Sequence, residues 1–140
     1  MLKLVKEIRS KKGELHFKRW QFCSTRWFNI YLHYIAKADE DEHLHDHPWS
    51  FWSIILKGGY IEFTKEGSVR RTFLHSCFRE KSFPHKIGVL IEPTWSLVIT
   101  GKGGRNWGYA TDKGWIDNKT YRENKRTEEV KKMFPGPINL

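Results

Sequence analysis

The chain has 140 residues, room for one domain around a single core. Hydrophobic residues make up 39% and aromatics 15%, including seven Trp, which excludes wholesale disorder. The net charge of +9 admits a nucleic-acid partner, whereas no apolar run approaches the roughly 20 residues of a membrane span.

The N-terminal MLKLVKEIRSKK is charged throughout and lacks the apolar stretch of a secretory signal. Cys23 and Cys77 are too few for a disulfide framework and form no CxxC pair. The expectation is a cytoplasmic protein with no membrane association. The excess charge sits at the ends: residues 1–26 carry eight basic and two acidic side chains, residues 118–140 six and three, and residues 27–117 eleven of each. Basic ends attract polyanions without reading sequence, so weak polyanion binding stands beside plain surface solvation.

From Arg26 to Thr100 the pattern is strands separated by turns. Trp27–Ile35 is rich in aromatic and β-branched residues. Phe51–Lys57 and Tyr60–Thr64 flank Gly58-Gly59, a hairpin signal. Lys65-Glu66-Gly67-Ser68 marks a further turn before a strand over Val69–Phe78. Pro84 and Pro93 bracket the segment around His85, and Trp95–Thr100 is an apolar strand ended by Gly101. The sequence Gly101-Lys102-Gly103-Gly104 is a loop without P-loop spacing. A helix is predicted over Thr120–Met133, opened by the capping box Thr120-x-x-Glu123 and stopped by Pro135. Many short strands and one terminal helix give an all-β sandwich or barrel.

Three of the seven histidines fall within five residues, His43-Leu44-His45-Asp46-His47. Alternate residues of a strand share a face, so two imidazoles spaced i, i+2 can share an ion. On a straight strand the outer two are separated by about 13 Å, too far for metal–nitrogen bonds of about 2.0–2.1 Å without a bend. His45 belongs to either pair, and His85 is the best-placed third ligand. His16, His33 and His75 read as ordinary hydrogen-bonded histidines. Clustered imidazoles withdrawn from water call for a metal or an anion.

The spacing around this cluster resembles the first motif of the cupin superfamily. His45-Asp46-His47, three residues, Phe51, six residues and Gly58 follow it, and Pro84-His85 stands at the place of the second motif. The run HLHDHPWSFWSIILKGGYIE with PHKI, PTWSLVITG and WGYATDKGW is similar to short single-domain cupin-like proteins of phage and bacterial genomes. The resemblance covers residues 27–118, leaving 1–26 as a basic N-terminal segment and 119–140 as a basic helix and tail. It implies a double-stranded β-helix, or jelly-roll barrel, with a C-terminal helix. Phe51 replaces the motif's Glu and Val89 stands where an Asn is common, so the implied site resembles the three-His centres of thiol dioxygenases. That implies a divalent transition metal, Fe(II) favoured with Zn, Ni or Mn as alternatives, on His45, His47 and His85, with His43 able to replace or supplement one.

Treating Gly58-Gly59 as a two-residue turn puts Phe51, Ser53, Ile55, Tyr60 and Glu62 on one face of the hairpin. Trp52, Ile54, Leu56, Ile61 and Phe63 occupy the other. Cupin spacing turns the first face inward, making Glu62 and Tyr60 candidates for acid–base work and Ser53 a lining residue. The apolar face then needs cover, which implies a homodimer. Binary patterning alone selects the opposite arrangement, with Glu62 solvated. Arg105 can meet an anionic substrate group or remain an exposed loop arginine. Trp107, with Trp95, Tyr109 and Trp115, can shape a pocket or fill the core. The function expected is oxidation of a small molecule by a metal-binding cupin. A non-catalytic ligand-binding barrel and a basic nucleic-acid-associated protein are the alternatives.

Overall fold

The computed structural model describes residues 2–134 and 136, which form ten strands followed by one helix. Strands β1 (Lys3–Arg9) and β2 (Leu15–Ser24) make a hairpin, joined where Ser10 Oγ accepts the Glu14 amide and Gly13 takes a φ of +85°. Then come β3 (Phe28–Ile35), the two-residue β4 (Leu44–His45), β5 (Phe51–Thr64), β6 (Gly67–Arg71), β7 (Ser76–Arg79) and β8 (His85–Gly101). A tight hairpin, β9 (Gly108–Thr111) and β10 (Gly114–Asp117), leads into α1 (Asn118–Met133).

Two long strands organise the rest. β5 and β8 pair antiparallel from Phe51↔Thr100 to Thr64↔His85. At one end of this pair the sheet continues through β3, β2 and β1 on the β8 side and through β7 on the β5 side. At the other end β6 joins β5, while β4, β9 and β10 continue from β8. The long strands therefore belong to both layers of a jelly-roll barrel that is followed by a C-terminal helix packed on the β9–β10 hairpin.

The bend between layers falls at Gly58-Gly59, and here the structure departs from the expected hairpin. The chain makes no reversal; β5 runs straight through with register shifts on either side. A side chain on Gly58 would put its Cβ 2.4 Å from the Pro93 carbonyl, and one on Gly59 would lie 2.7 Å from that of Arg71. Gly58 also has a φ of +89°. The two glycines serve a close crossing of backbones, a need that draws on the same residue type as a tight turn. Thr94, fully buried opposite, accepts the Gly59 amide at 3.0 Å. Pro93 sits where the register skips, so its missing N–H costs no ladder bond.

Three further boundaries differ. Residues 1–26 supply two strands to the sheet, β2 pairing with β3 from Phe17↔Ile35 to Ser24↔Asn29. Their alternating charges suit an edge, where charge deters pairing with foreign strands. The strand expected over Val69–Phe78 breaks between β6 and β7, where Leu74 takes a φ of +62°. The helix starts two residues early because Asp117, not Thr120, is the cap: its carboxylate accepts the amides of Lys119 and Thr120 at 3.1 Å each. The stop assigned to Pro135 lies outside the described residues.

The barrel interior is more polar than apolar. Among the described residues the buried hydrophobics are Ile35, Ile55, Val98 and Tyr109, against Asp46, Ser53, Glu62, Arg71, Thr94, Ser96 and Thr100. The face of β5 bearing Phe51, Ser53, Ile55 and Glu62 points inward, as cupin spacing requires and binary patterning does not. Outward rows across the sheet are apolar: Trp20, Leu32, Leu97 and Ile54 in one, Ile30, Ile99, Trp52 and Phe78 in the next. No helix among the described residues is long and apolar enough to cross a membrane.

Candidate metal centre

His45 and His85 are brought together by the sheet itself, as direct partners in the β4–β8 pairing. β4 ends at His45, and the turn through Asp46 to Pro48 carries His47 back toward them. The three rings form a near-equilateral group with centroids 5.0–5.1 Å apart. Their nitrogen donors all lie within 4.8 Å of one another. His43 stands apart. It lies outside the two residues of β4, and its Nδ1 is 3.0 Å from the Tyr121 hydroxyl on α1. The bend in the chain that a third ligand demands thus follows His45, which selects His47 and excludes His43 from the group.

Glu62 orients His85. Its carboxylate, 3% exposed, accepts the His85 Nδ1–H at 2.7 Å, which leaves Nε2 as the lone-pair nitrogen. That Nε2 is buried without a hydrogen-bond partner, and so is Nδ1 of His47. Burial lowers the pKa of His45, with repulsion from His85 adding to it and Asp39 opposing. Burial, followed by repulsion from His85 and His45, holds His47 well below the ordinary range. Two imidazoles whose charged forms are disfavoured, beside a third whose Nδ1 is held by a carboxylate and whose Nε2 is orphaned, suit a divalent transition metal.

The carboxylate itself is committed. Arg71 Nη2 donates to Oε1 at 2.8 Å, Arg79 Nη2 donates to the same oxygen, and Arg79 Nε reaches Oε2 at 3.3 Å. Burial alone would raise the Glu62 pKa, but bonds from His85, Arg79 and Arg71 outweigh it and hold the group well below the usual carboxylate range. A carboxylate so locked positions His85 and gives up the acid–base role expected of it. Tyr60 carries no hydrogen bond to the triad among the described residues. Burial, then the Glu62 charge, pushes its phenol above its ordinary range, away from proton transfer near neutrality.

Asp46, also 3% exposed, fixes the other side of the site. Its oxygens accept the Gly108 amide at 2.7 Å, Arg105 Nη2 at 2.9 Å and Trp115 Nε1 at 2.9 Å. Arg105 further bonds the carbonyls of His47 and Lys81 at 3.2 Å. Arg105 is therefore spent on pinning the histidine loop, because a buried Asp46 demands a counter-charge there. Trp115 shares that role. Trp107 does flank the site, 6.4 Å from the His45 ring, and Ser53 is buried on the inward face of β5. Phe51, at the place of the missing Glu, closes one wall at 4.8 Å from His47 and 5.7 Å from His85. The roles of Asp46, Arg71 and Arg79 went unread in sequence; an acid between two clustered histidines was the one available signal. Both cysteines are free and half-buried, and burial pushes the Cys77 thiol up.

Two surface clefts lie elsewhere. One of about 360 Å³ runs between the β9–β10 hairpin and α1, and one of about 320 Å³ lies beside Arg71 and Phe83. Neither is lined by a triad histidine.

No protein-family model matches the chain, and no curated protein does. Solved structures do resemble it. The polyketide cyclase RemF from Streptomyces resistomycificus superposes with a TM-score of 0.63 at 11% identity, over 89% of this chain and 87% of that one. A sugar phosphate isomerase of the cupin superfamily from Silicibacter pomeroyi gives 0.55 at 11% identity, over 74% and 77%. FeII HppE gives 0.58 at 13% identity over 71% of this chain, which spans just over half, 56%, of HppE. At these identities the likeness establishes the fold: a cupin-type jelly roll, holding three histidines placed to bind a metal.

The depressed pKa of Glu62 has a consequence for stability. Its contribution is present above the ordinary value of 4.5 and is lost as pH falls through the lower folded-state value. With chelator present, Glu62→Gln should be less stable than wild type by about 3–5 kcal/mol at pH 6, since it strands two arginines. Denaturant melts at stepped pH should show that gap shrinking below pH 4.5. A gap that stays constant to pH 3 would contradict the assignment.

Proposed function

We propose that this protein is a metal-dependent cupin enzyme that binds a divalent transition metal through His45, His47 and His85 and acts on a small molecule. The observation that carries this is the pair of buried, unpartnered nitrogens, His85 Nε2 and His47 Nδ1, facing a third imidazole. Of the possible ions we favour iron(II), which His45, His47 and His85 would hold and which would supply Lewis-acid and redox chemistry toward a small substrate. The chain's own residues hold and shape the site. Glu62 fixes the His85 tautomer, Asp46 anchors the loop between the two clustered ligands, and Phe51 excludes water from one side. Trp107 and Tyr109, whose rings lie 6.4 and 6.2 Å from His45, form a facing wall. With Glu62 and Tyr60 unsuited to proton transfer, a barrel that binds its ligand without turnover is the second reading.

We further propose that the protein is a homodimer joined through the outward apolar rows. Phe22 and Phe78 on this face are 60% and 61% exposed, and an uncovered apolar surface spread over five strands is unusual in a monomer.

Elemental analysis of untagged protein should find close to one equivalent of transition metal, lost in His45→Ala and His85→Ala and retained in His43→Ala. Absence of metal even after anaerobic Fe(II) loading would overturn the metal reading. Light scattering should report twice the chain mass for wild type and the single chain mass for Phe78→Lys; a monomeric wild type would rule out the dimer.

A further inference from the structure

Building on the metal-site reading, we propose that Arg19 and Arg122 form an anion subsite that takes the carboxylate or phosphate group of a small substrate whose reacting end lies at the triad. Each guanidinium is one aromatic ring away from a triad histidine. Arg19 lies over Trp49, 5.4 Å from its ring centre, and Trp49 is 6.2 Å from His47. Arg122 lies over Trp107 at 5.5 Å, and Trp107 is 6.4 Å from His45.

Neither arginine has a carboxylate partner among the described residues, whereas Arg71, Arg79 and Arg105 each have one. Arg19 is half-buried and held in place: its Nε donates to His33 Nε2 at 2.9 Å, and its guanidinium also lies 4.9 Å from the Tyr31 ring centre. Both Nη groups remain uncommitted among the described residues, a fork suited to an oxyanion.

The strand register compounds the charge. Lys6 of β1 stands directly opposite Arg19 of β2, and like charges in that relation repel. The Lys6 ammonium is pushed below its ordinary pKa by loss of hydration and then by the charges of Arg19 and Arg122. Lys6 thus senses both arginines, and none of the three has a carboxylate partner among the described residues, an arrangement that a bound anion relieves. The Trp49 and Trp107 rings beneath the guanidiniums favour an anion carried on a flat or apolar body over a bare ion.

Calorimetric titration with benzoate, phenyl phosphate and inorganic phosphate, on metal-free and zinc-loaded protein, tests this. Benzoate or phenyl phosphate should bind saturably to wild type, more tightly than inorganic phosphate, and whichever binds identifies the headgroup. Affinity should fall at least tenfold in Arg19→Gln and in Arg122→Gln and hold in Lys11→Gln, a turn control, with zinc stoichiometry unchanged. Arg122 is exposed on α1, so its variant carries the test if Arg19→Gln fails to fold. Zinc-bearing wild type that binds neither organic anion, or binds it equally well after Arg122→Gln, would overturn the subsite alone. Anion binding in a wild type that takes up no metal would instead overturn the metal reading and leave the subsite standing.

Discussion

One buried carboxylate ties the barrel to its chemistry. Glu62 on β5 receives Arg71 from β6, Arg79 from β7 and His85 at the start of β8, so a single charge links four strands. Burying such a group is unfavourable unless every oxygen is matched, and removing one partner leaves the others stranded. The arrangement is self-consistent only with the Glu62 face turned inward. That in turn fixes the β5 register, commits Nδ1 of His85 as a donor, and points Nε2 into the lumen. The placement of His85 within the triad follows from an ion cluster that leaves its Nε2 free.

Asp46 performs the matching task on the opposite wall. Lying between two ligands, it is held by Arg105, Trp115 and the Gly108 backbone, which fastens the histidine loop to the β9–β10 hairpin. Two carboxylates thus hold the two sides of the triad, each neutralised by arginine. Arg19 and Arg122, which have no such partner among the described residues, each lie one aromatic ring away from a triad histidine. A polar interior has a cost in apolar burial, and the outward rows from Trp20 to Phe78 are where that apolar surface has gone. Interior charge and exterior hydrophobicity are two results of one choice of register.

How much of this was legible in the sequence depended on whether a residue type had one use or several. The HxH spacing and the proline before His85 picked out three histidines that the fold does bring together, because few other arrangements need clustered imidazoles. His43 shares its parity with His45 and His47, so alternation could not separate it; the end of β4 and a bond to Tyr121 decide the matter. Gly58-Gly59 signals a turn and a close backbone crossing equally well, and the tertiary contact with Pro93 determines which forms. Arg105 read as a free cation since nothing in a linear sequence reveals that Asp46 is buried 59 positions away. The strands of residues 1–26 were hidden by charges that a sheet edge tolerates.

The most direct test is the anomalous scattering of crystals loaded anaerobically with iron(II), recorded on both sides of the iron edge. The structure predicts a single strong peak bounded by His45, His47 and His85, with Glu62 in contact with His85 and away from the ion. A peak at His43, on the Glu62 carboxylate itself, or in the cleft between the β9–β10 hairpin and α1 would contradict the account, as would the absence of any peak.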